Sequence, residues 1–280
     1  MQRERITITI PKKLLEALDG TVDGSGVRNR SHAVELALAK TLLKKPVKAL
    51  ILAGGNQIRL PQLHREIPKA MLPVQGRPIL EHILLRLKTA GVDEVIASIG
   101  SGGGKIQDYF RNGSRFGVSI SYLEQAQIKK GTAQPIAQAQ SRLMDAPFLL
   151  VYGDVLADID FADFLAFHES QKNSLATMAL ASVQKVSMWG VARLVGSKVA
   201  EFEEKPKHPG TQSHLVNAGM YVMDPKIFEY LAPDMTKLES ELLPRLAEEN
   251  RLGGYSFGGN WYDVSTPQAY EQVLKEWRGL

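Results

Sequence analysis

The feature that most constrains the fold is a run of apolar residues, 49–53, that ends abruptly in two glycines. Such a run is typical of a buried parallel strand that leads into a ligand-binding loop. Gly54 and Gly55 carry no side chains, so their backbone N–H groups can face an anion, and Arg59 and Lys69 follow with positive charge. The stretch therefore predicts a site for a nucleoside triphosphate or another phosphorylated ligand.

Strand and helix patterns alternate after this loop, as they do in doubly wound sheets. A chain of 280 residues, 44% of them hydrophobic, is long enough for one α/β domain and a small appendage. The predicted elements are a helix at 79–89, a strand at 92–99, a helix at 107–112, a strand at 118–122, a helix at 135–143, a strand at 148–154 and a closing helix at 268–277.

Composition excludes several classes of protein. The chain has no cysteine, which rules out a disulfide scaffold, thiolate metal sites and a cysteine nucleophile. Its start lacks a signal-peptide pattern, and no apolar run approaches the roughly 20 residues of a membrane span. We therefore expect a soluble cytoplasmic protein without a membrane partner.

Basic charge is concentrated near the start of the chain. Residues 1–50 hold ten Lys or Arg and five Asp or Glu, a net charge of +5, whereas the whole chain has +4. The alternation at 5–10 predicts a half-buried strand with Ile6, Ile8 and Ile10 on one face. Helical patterns follow Pro11 and Asn29. Because one strand and two helices in about 45 residues are too small to fold alone, we expect pairing with a second chain.

This segment resembles the ribbon-helix-helix domains of Arc- and MetJ-type repressors in its element order, its strand exit at Pro11 and its Asn-Arg-Ser helix start. The resemblance implies a domain at 1–45 that forms a homodimer or tetramer through an antiparallel ribbon. That ribbon would enter the major groove of DNA. It further implies that Arg5, Thr7 and Thr9 face bases and that Arg30 lies near phosphate. A handle that only dimerises remains the alternative.

Residues 47–74 resemble the signature of sugar-1-phosphate nucleotidyltransferases, whose fold is a Rossmann-like α/β core with a mixed, mostly parallel sheet. The implied domain covers 46–280. The chain departs from the signature at Gln57, Ile58 and Gln62. The matching residues are Leu52, Ala53, Gly54, Gly55, Arg59, Leu60, Pro68, Lys69, Leu72, Pro73 and Val74.

Five further segments resemble this family and follow in its order. The Gly-Thr-Ala segment at 131–133 comes soon after Gln125; strand 148–152 ends in Gly153-Asp154; Glu-Lys-Pro at 204–206 precedes Asn-Ala-Gly at 217–219; and Trp-Tyr-Asp ends at Asp263. The resemblance implies that Ala53, Gly54, Gly55, Gln125, Gly131 and Thr132 bind the nucleotide, that Gly153, Glu204 and Asn217 bind the sugar, and that Asp154 and Asp263 hold Mg²⁺.

The implied reaction joins an NTP and a sugar-1-phosphate to give an NDP-sugar and pyrophosphate. Since the attacking phosphate oxygen is already anionic, this chemistry needs alignment and charge neutralisation rather than a general base. Arg59 would contact the leaving pyrophosphate, Lys69 the reacting phosphates and Lys205 the sugar phosphate, beside Asp154.

Two alternatives stay open. One is a DNA-binding regulator whose transferase-like domain senses a nucleotide or sugar nucleotide, which the departures at Gln57 and Ile58 favour. The other is a choline-phosphate or related cytidylyltransferase of the same fold. Lys205 and the Asn-Ala-Gly segment favour a sugar phosphate over the latter. The base and the sugar are left open.

Overall fold

The computed structural model describes residues 6–42, 46–55, 57–60, 65–125, 131–207 and 213–279; within it, the side chains of residues 39–42, 57–60, 65 and 66 are not described. The chain divides into two compact units, Met1–Lys45 and Pro46–Leu280. Among the described residues, no helix is both long and apolar enough to span a bilayer.

The helices are α1 (Lys12–Asp19), α2 (Arg30–Leu42), α3 (Ile79–Thr89), α4 (Gly103–Phe110), α5 (Ala133–Leu143), α6 (Phe161–Ser170), α7 (Leu243–Glu248) and α8 (Pro267–Glu276). The strands are β1 (Lys48–Ala53), β2 (Gln57–Leu60), β3 (Arg65–Pro68), β4 (Pro73–Val74), β5 (Arg77–Pro78), β6 (Glu94–Ile99), β7 (Ser119–Glu124), β8 (Phe148–Tyr152), β9 (Val155–Ala157), β10 (Ala176–Ser182), β11 (Gly190–Val195), β12 (Lys198–Glu204), β13 (Leu215–Met223), β14 (Leu252–Ser256) and β15 (Trp261–Asp263).

In the first unit, the two predicted helices are present as α1 and α2. Asn29 caps α2 as predicted, because its Oδ1 accepts a hydrogen bond from His32 N at 3.0 Å. Both carboxylate oxygens of Asp19 accept hydrogen bonds from the Arg30 guanidinium, at 2.5 and 2.6 Å. The end of α1 is thereby joined to the start of α2.

The predicted strand in this unit is not formed. Residues 6–10 have no regular secondary structure, and Ile6 and Ile8 are 69% and 53% exposed. A strand needs a neighbour to satisfy its backbone N–H and C=O groups. None of the described residues of this chain supplies one, so the half-buried strand expected from the alternation is wrong for the single chain.

The second unit is built on a sheet of nine described strands in the order β10-β14-β12-β11-β13-β8-β1-β6-β7. Strands β8, β1, β6 and β7 are mutually parallel, as predicted. In the other half, however, β13 pairs antiparallel with β8, β10 and β11, and β12 pairs antiparallel with β11 and β14. The sheet is therefore mixed and mostly parallel, as expected: seven of its nine described strands run in one direction, and β12 and β13 run against them.

Helices cover both faces of the sheet, which makes its central strands apolar on both sides. Along β1, Ala49 and Ile51 belong to the core beneath α3, α4 and α6, whereas Leu50 belongs to the core beneath α5 and α7. This burial explains why residues 49–53 form a continuous apolar run instead of an alternating one. It also fixes the strand ends that carry the site.

Candidate functional site

The candidate site lies where the parallel strands β1 and β8 end side by side. Residues following such strands meet at one edge of the sheet, where open α/β sheets bind ligands. The Gly153 N–H donates a hydrogen bond to the Leu52 carbonyl oxygen at 3.0 Å, so the two chain segments leave the sheet together. Gly54-Gly55 and Gly153-Asp154 consequently face one cleft.

This cleft has a volume of about 570 Å³ and is lined mostly by residues that the sequence assigned to the site, six of them to nucleotide binding. It also contains Tyr152, Gly100 and Ser101, which the sequence did not assign. The predicted residues lining it are Ala53, Gly54, Gly55, Lys69, Gln125, Gly131, Thr132, Gly153 and Asp154.

Gln125 lies directly against the glycine loop. A Cβ at Gly54 would stand 2.6 Å from the Gln125 amide carbon, so only glycine allows this approach. Gln125 is held from its own side, since its N–H donates to Ile99 O at 2.9 Å and its Nε2 donates to Ser98 Oγ at 3.2 Å. The amide is thus fixed beside the loop rather than extended into solvent.

Lys69 and Asp154 form an ion pair at the floor of the cleft, with 3.0 Å between Nζ and Oδ2. Lys69 follows Pro68 in a short 3₁₀-helix, Lys69–Met71, which brings it under the end of β8. Both side chains are mostly shielded, with 20% and 26% of their surface exposed. A cation that can bind phosphate and a carboxylate that can hold a metal ion therefore lie side by side in this cleft.

Asp263 is brought beside Asp154 by a two-stranded ribbon. Strands β9 and β15 pair antiparallel with Asp263 opposite Val155, and Val264 N donates to Asp154 O at 2.9 Å. Burial, and next the charge of Asp154, raise the pKa of the Asp263 carboxyl above its usual range. Trp189 Nε1 donates to Asp263 Oδ2 at 2.9 Å.

Two neighbouring carboxylates, one of them largely buried, fit a divalent cation that also binds phosphate oxygens. Mg²⁺ is commonly held by one or two carboxylates and keeps several waters. Within the described parts of the chain, no group of three or more His, Cys, Asp or Glu side chains gathers as a metal cage. The donors at Asp154 and Asp263 therefore suit Mg²⁺ shared with a substrate better than a structural metal.

A second cleft of about 280 Å³ adjoins the first, and Tyr152 and Asp154 line both. The predicted sugar-side residues Glu204, Lys205 and Asn217 line this second cleft together with Asp263. The sequence-assigned residues are therefore distributed over two clefts that meet at Asp154.

Lys205 has an unusual backbone. Its φ of 49° lies in the left-handed region, which is uncommon for residues other than glycine and often found at functional sites. Its N–H donates to Trp189 O at 3.2 Å, and its Nζ stands 3.9 Å from Glu204 Oε1, with 66% of the side chain exposed. The ammonium group is thus presented at the mouth of the second cleft.

Asn217, which the resemblance assigned to sugar binding, is buried, with 8% of its surface exposed. Its amide nitrogen donates to the Tyr221 hydroxyl at 2.6 Å, and its Oδ1 accepts from Gly219 N at 3.0 Å. Gly219 has φ of 71°, so Asn217 holds a left-handed turn on the cleft wall. The Asn-Ala-Gly segment therefore shapes this wall through its own internal bonds.

For the remaining predicted residues, the described structure shows no side chain in either cleft. Arg59 lies in β2, opposite Glu66 in β3, and its side chain is outside the described part of the structure. Arg5 also lies outside the described residues. Thr7 and Thr9 are exposed, and Arg30 is paired with Asp19, so their assignment to DNA remains a prediction.

Sequence reasoning missed three residues that line the second cleft: Tyr152, Trp189 and Glu239. Tyr152 could have been found, because it directly precedes Gly153-Asp154. Trp189 and Glu239 carry no local signal, since each reaches the cleft from an element distant in sequence.

A doubly wound sheet with a glycine loop, a cation and two carboxylates at its strand ends defines a phosphate-handling transferase class. The Nucleotidyl transferase family model matches residues 48–278, and the chain belongs to this family. The “Probable glucose-1-phosphate cytidylyltransferase” of Bacillus subtilis (strain 168) is 32% identical over 252 residues, which cover 82% of this chain and 96% of that protein.

Two other similarities cover 80% and 82% of this chain. The mannose-1-phosphate guanylyltransferase catalytic subunit beta of Danio rerio is 33% identical over 80% of this chain, which spans 62% of that relative's length. A crystal structure described as a “Putative Glucose-1-Phosphate Thymidylyltransferase” from Bacillus anthracis, in complex with sucrose, has a TM-score of 0.73 and 26% identity, covering 82% of this chain and 94% of the other.

Proposed function

We propose that this chain is a Mg²⁺-dependent sugar-1-phosphate nucleotidyltransferase that converts an NTP and a sugar-1-phosphate into an NDP-sugar and pyrophosphate. The observation that carries the proposal is that the nucleotide-side and sugar-side clefts meet at Asp154, which lines both. Two substrates bound in these clefts would bring their phosphates together there. The relatives named above, a cytidylyltransferase and a guanylyltransferase of hexose 1-phosphates, support this assignment.

The reaction places few demands on acid–base groups. A phosphate oxygen of the sugar-1-phosphate attacks the α-phosphorus of the NTP, the bond from that phosphorus to the bridging β-phosphate oxygen breaks, and pyrophosphate leaves with the electron pair. The nucleophile is anionic from the start, so catalysis depends on alignment and on neutralising charge.

Two of the three proposed cations have roles that match their positions. Lys69, at 3.0 Å from Asp154, lies where the reacting phosphates would meet, and Lys205 lies at the mouth of the sugar-side cleft. We assign Arg59 to the leaving pyrophosphate on the strength of the sequence resemblance. Mg²⁺ held by Asp154 and Asp263 would neutralise further phosphate charge.

The direct test is pyrophosphate release by the purified protein with Mg²⁺. CTP, GTP, UTP, dTTP and ATP are each paired with glucose 1-phosphate, mannose 1-phosphate and phosphocholine. Release that depends on one nucleotide and one hexose 1-phosphate supports the proposal and identifies the substrates. Release with phosphocholine alone favours the choline-phosphate class, and no release with any pair contradicts a transferase function.

A second candidate function concerns the first unit. Its nine Lys and Arg residues, its helices α1 and α2 and its exposed Ile6 and Ile8 favour a ribbon formed with a second chain, which would also present Thr7 and Thr9 to DNA. We propose a homodimer or tetramer assembled through this ribbon, with DNA binding as an additional activity. Selection of bound sequences from a random DNA library, repeated at two salt concentrations, tests it. A lack of any enriched sequence would leave assembly as the unit's role.

A further inference from the structure

Glu239, a carboxylate that the sequence did not single out, lies between the two clefts. It belongs to a π-helical turn, Leu238–Leu242, and lines the sugar-side cleft. Such turns are rare and are frequently found at functional sites. Its Oε1 accepts a short hydrogen bond from the Tyr152 hydroxyl, and its Oε2 accepts from Thr132 Oγ1 at 2.7 Å.

On the nucleotide side, the segment that carries Glu239 fixes the Gly-Thr-Ala segment at several points. Leu238 N donates to Thr132 Oγ1 at 3.0 Å, and Ala133 N donates to Thr236 O at 3.0 Å. A Cβ at Gly131 would stand 2.1 Å from Thr236 O, so these two backbones approach as closely as glycine permits. The position of residues 131–133 is therefore set by residues 236–239.

On the other side, Glu239 holds the residue that precedes Gly153-Asp154. Tyr152 ends β8 and lines both clefts. The centroid of its ring lies 6.0 Å from the centroid of the Tyr221 ring. Burial raises the pKa of the Tyr152 hydroxyl well above its usual value, so it remains a neutral donor. Its hydroxyl donates a hydrogen bond to Glu239, so the carboxylate fixes the orientation of this ring.

We propose that Glu239 is a positioning residue that couples the nucleotide-binding segment 131–133 to Tyr152 and Asp154, so that each substrate favours binding of the other. This inference rests on the proposed function. A nucleotide that orders residues 131–133 also orders Glu239 through Thr132, and Glu239 orders Tyr152 at the cleft wall that the sugar phosphate contacts. Thermodynamic linkage makes such an effect reciprocal.

Two substitutions at this position separate geometry from charge. Glu239→Gln keeps the length of the side chain, and its amide can bond to both Tyr152 and Thr132. Glu239→Asp keeps the negative charge but is one methylene shorter, so it cannot reach both partners. If Glu239 acts by position, Gln preserves the coupling and Asp removes it; if it acts by charge, the order is reversed.

The link between the segments is tested first without any ligand, by amide hydrogen exchange of the full-length protein. Tyr152→Phe removes only the hydroxyl, and we expect about tenfold faster exchange in peptides covering 131–138, an effect of the size seen for directly coupled residues. In the Glu239→Asp background the same substitution should add nothing. Tyr122→Phe, whose hydroxyl bonds to Arg111 O at 2.6 Å outside this network, is the matched control. Unchanged exchange at 131–138 in Tyr152→Phe would overturn the link.

The functional consequence is tested with substrates that bind but cannot react. The α,β-methylene analogues of CTP and GTP block cleavage, and their dissociation constants are measured with and without glucose 1-phosphate or mannose 1-phosphate. We expect the sugar phosphate to tighten nucleotide binding about tenfold in the unaltered protein and in Glu239→Gln, but less than about twofold in Glu239→Asp and Tyr152→Phe.

The outcomes are distinguishable from failure of the proposed function. Coupling that persists in Glu239→Asp, or an absence of coupling in the unaltered protein when a pair turns over, contradicts the positioning role. Failure of every substrate pair to turn over or bind contradicts both the transferase function and this role, whereas the hydrogen-exchange result still decides whether the two segments are linked.

Discussion

At the scale of single residues, Asp154 has one neighbour that attracts its charge and another that its charge repels. The Lys69 ammonium is 3.0 Å from its Oδ2, while its own charge raises the pKa of the neighbouring Asp263 carboxyl. A carboxylate that repels one neighbour and attracts another is well placed to exchange partners when phosphates and a metal arrive. Its removal should affect turnover far more than folding.

We therefore expect Asp154→Asn to lower kcat at least about 100-fold, the usual effect of losing a charge-stabilising group. The fold should be retained, because asparagine has the same shape and can still accept from Lys69. Asp108→Asn, on the exposed face of α4, is the matched control and should keep full activity. Steady-state rates with the active substrate pair, with circular dichroism of both variants, give the answer. More than about a tenth of the original rate would refute the metal assignment.

Trp189 offers a second prediction, because its indole N–H holds one oxygen of Asp263 at 2.9 Å. Residues that orient a metal-binding carboxylate commonly contribute 10- to 100-fold to metal affinity. Trp189→Phe should therefore raise the Mg²⁺ concentration for half-maximal turnover by about tenfold while kcat at saturating Mg²⁺ changes little. Asp108→Asn, which lies outside both clefts, serves as control. The same Mg²⁺ dependence in both variants would show that the hydrogen bond is not needed.

Glu204 leads to a prediction on pH. Burial, and next the charge of Glu239, raise the pKa of Glu204 in the folded protein above its usual value. The folded state thus favours the protonated form of Glu204. This preference adds fully to the free energy of unfolding when the pH is below the pKa that Glu204 has in the unfolded state. The contribution is lost as pH rises through the pKa that Glu204 has in the folded state. Glu204→Gln removes that loss and should raise Tm relative to the unaltered protein at pH 8.

The same difference in Tm should shrink to nothing as pH falls towards 4, where Glu204 is protonated in both states. Thermal melts of the two proteins across pH 4–8 provide the comparison, and Glu203→Gln, on the exposed neighbouring position, controls for the general loss of one negative charge. A stability gain that does not vary with pH would contradict the assigned cause.

At the scale of elements, local signals predicted boundaries well where packing and capping agree. Helix α3 covers 79–89 as predicted, because most of its apolar positions face the core: Ile79, Leu80, Ile83, Leu84 and Leu87 are buried. Asp160 caps α6 in the same local way, since its carboxylate accepts hydrogen bonds from Ala162 N and Asp163 N. The prediction for α3 is confirmed because it depends on contacts that a local pattern encodes.

This cap gives a prediction confined to stability. Asp160→Ala leaves two N–H groups at the start of α6 without their acceptor and should lower the free energy of unfolding by about 1 kcal/mol. Asp160→Asn, which also caps well, should cost much less. Denaturant titration measures the difference as a shift of the midpoint with an unchanged slope. Activity at 25 °C should be equal in all three proteins; a loss of activity in Asp160→Ala alone would indicate a role beyond capping.

At the scale of the whole molecule, what could not be predicted is what depends on distant parts of the chain. The proximity of Asp154 and Asp263 follows from the β9–β15 pairing, which no local sequence pattern predicts. Only the family resemblance suggested this proximity. Glu239 was missed for the same reason. The resemblance implied a mixed sheet, but no local pattern identified β12 and β13 as the reversed strands, because strand composition does not specify the direction of a neighbour.

The strand predicted at residues 5–10 differs from these cases, because the element itself needs a neighbour that the described residues of one chain do not supply. Alternation of Ile6 and Ile8 with Thr7 and Thr9 indicates a strand, yet a strand without a partner leaves its backbone groups unpaired and its isoleucines in water. If two chains pair here, both deficits are removed at once. The property to measure is therefore the assembly of the chain.

We expect the full-length protein to sediment as a dimer or tetramer of the 30.9 kDa chain, and the double variant Ile6→Lys/Ile8→Lys to sediment as a monomer. Buried lysines without partners cost more than the ribbon can compensate. The matched control, Thr7→Ala/Thr9→Ala, alters the opposite face and should keep the assembly while weakening any DNA binding. Because the family match begins at residue 48, the monomer should still release pyrophosphate. If the unaltered protein is a monomer, the resemblance to ribbon-helix-helix domains extends to the order of elements and not to the ribbon. If both double variants lose assembly equally, the isoleucine face does not form the contact between chains.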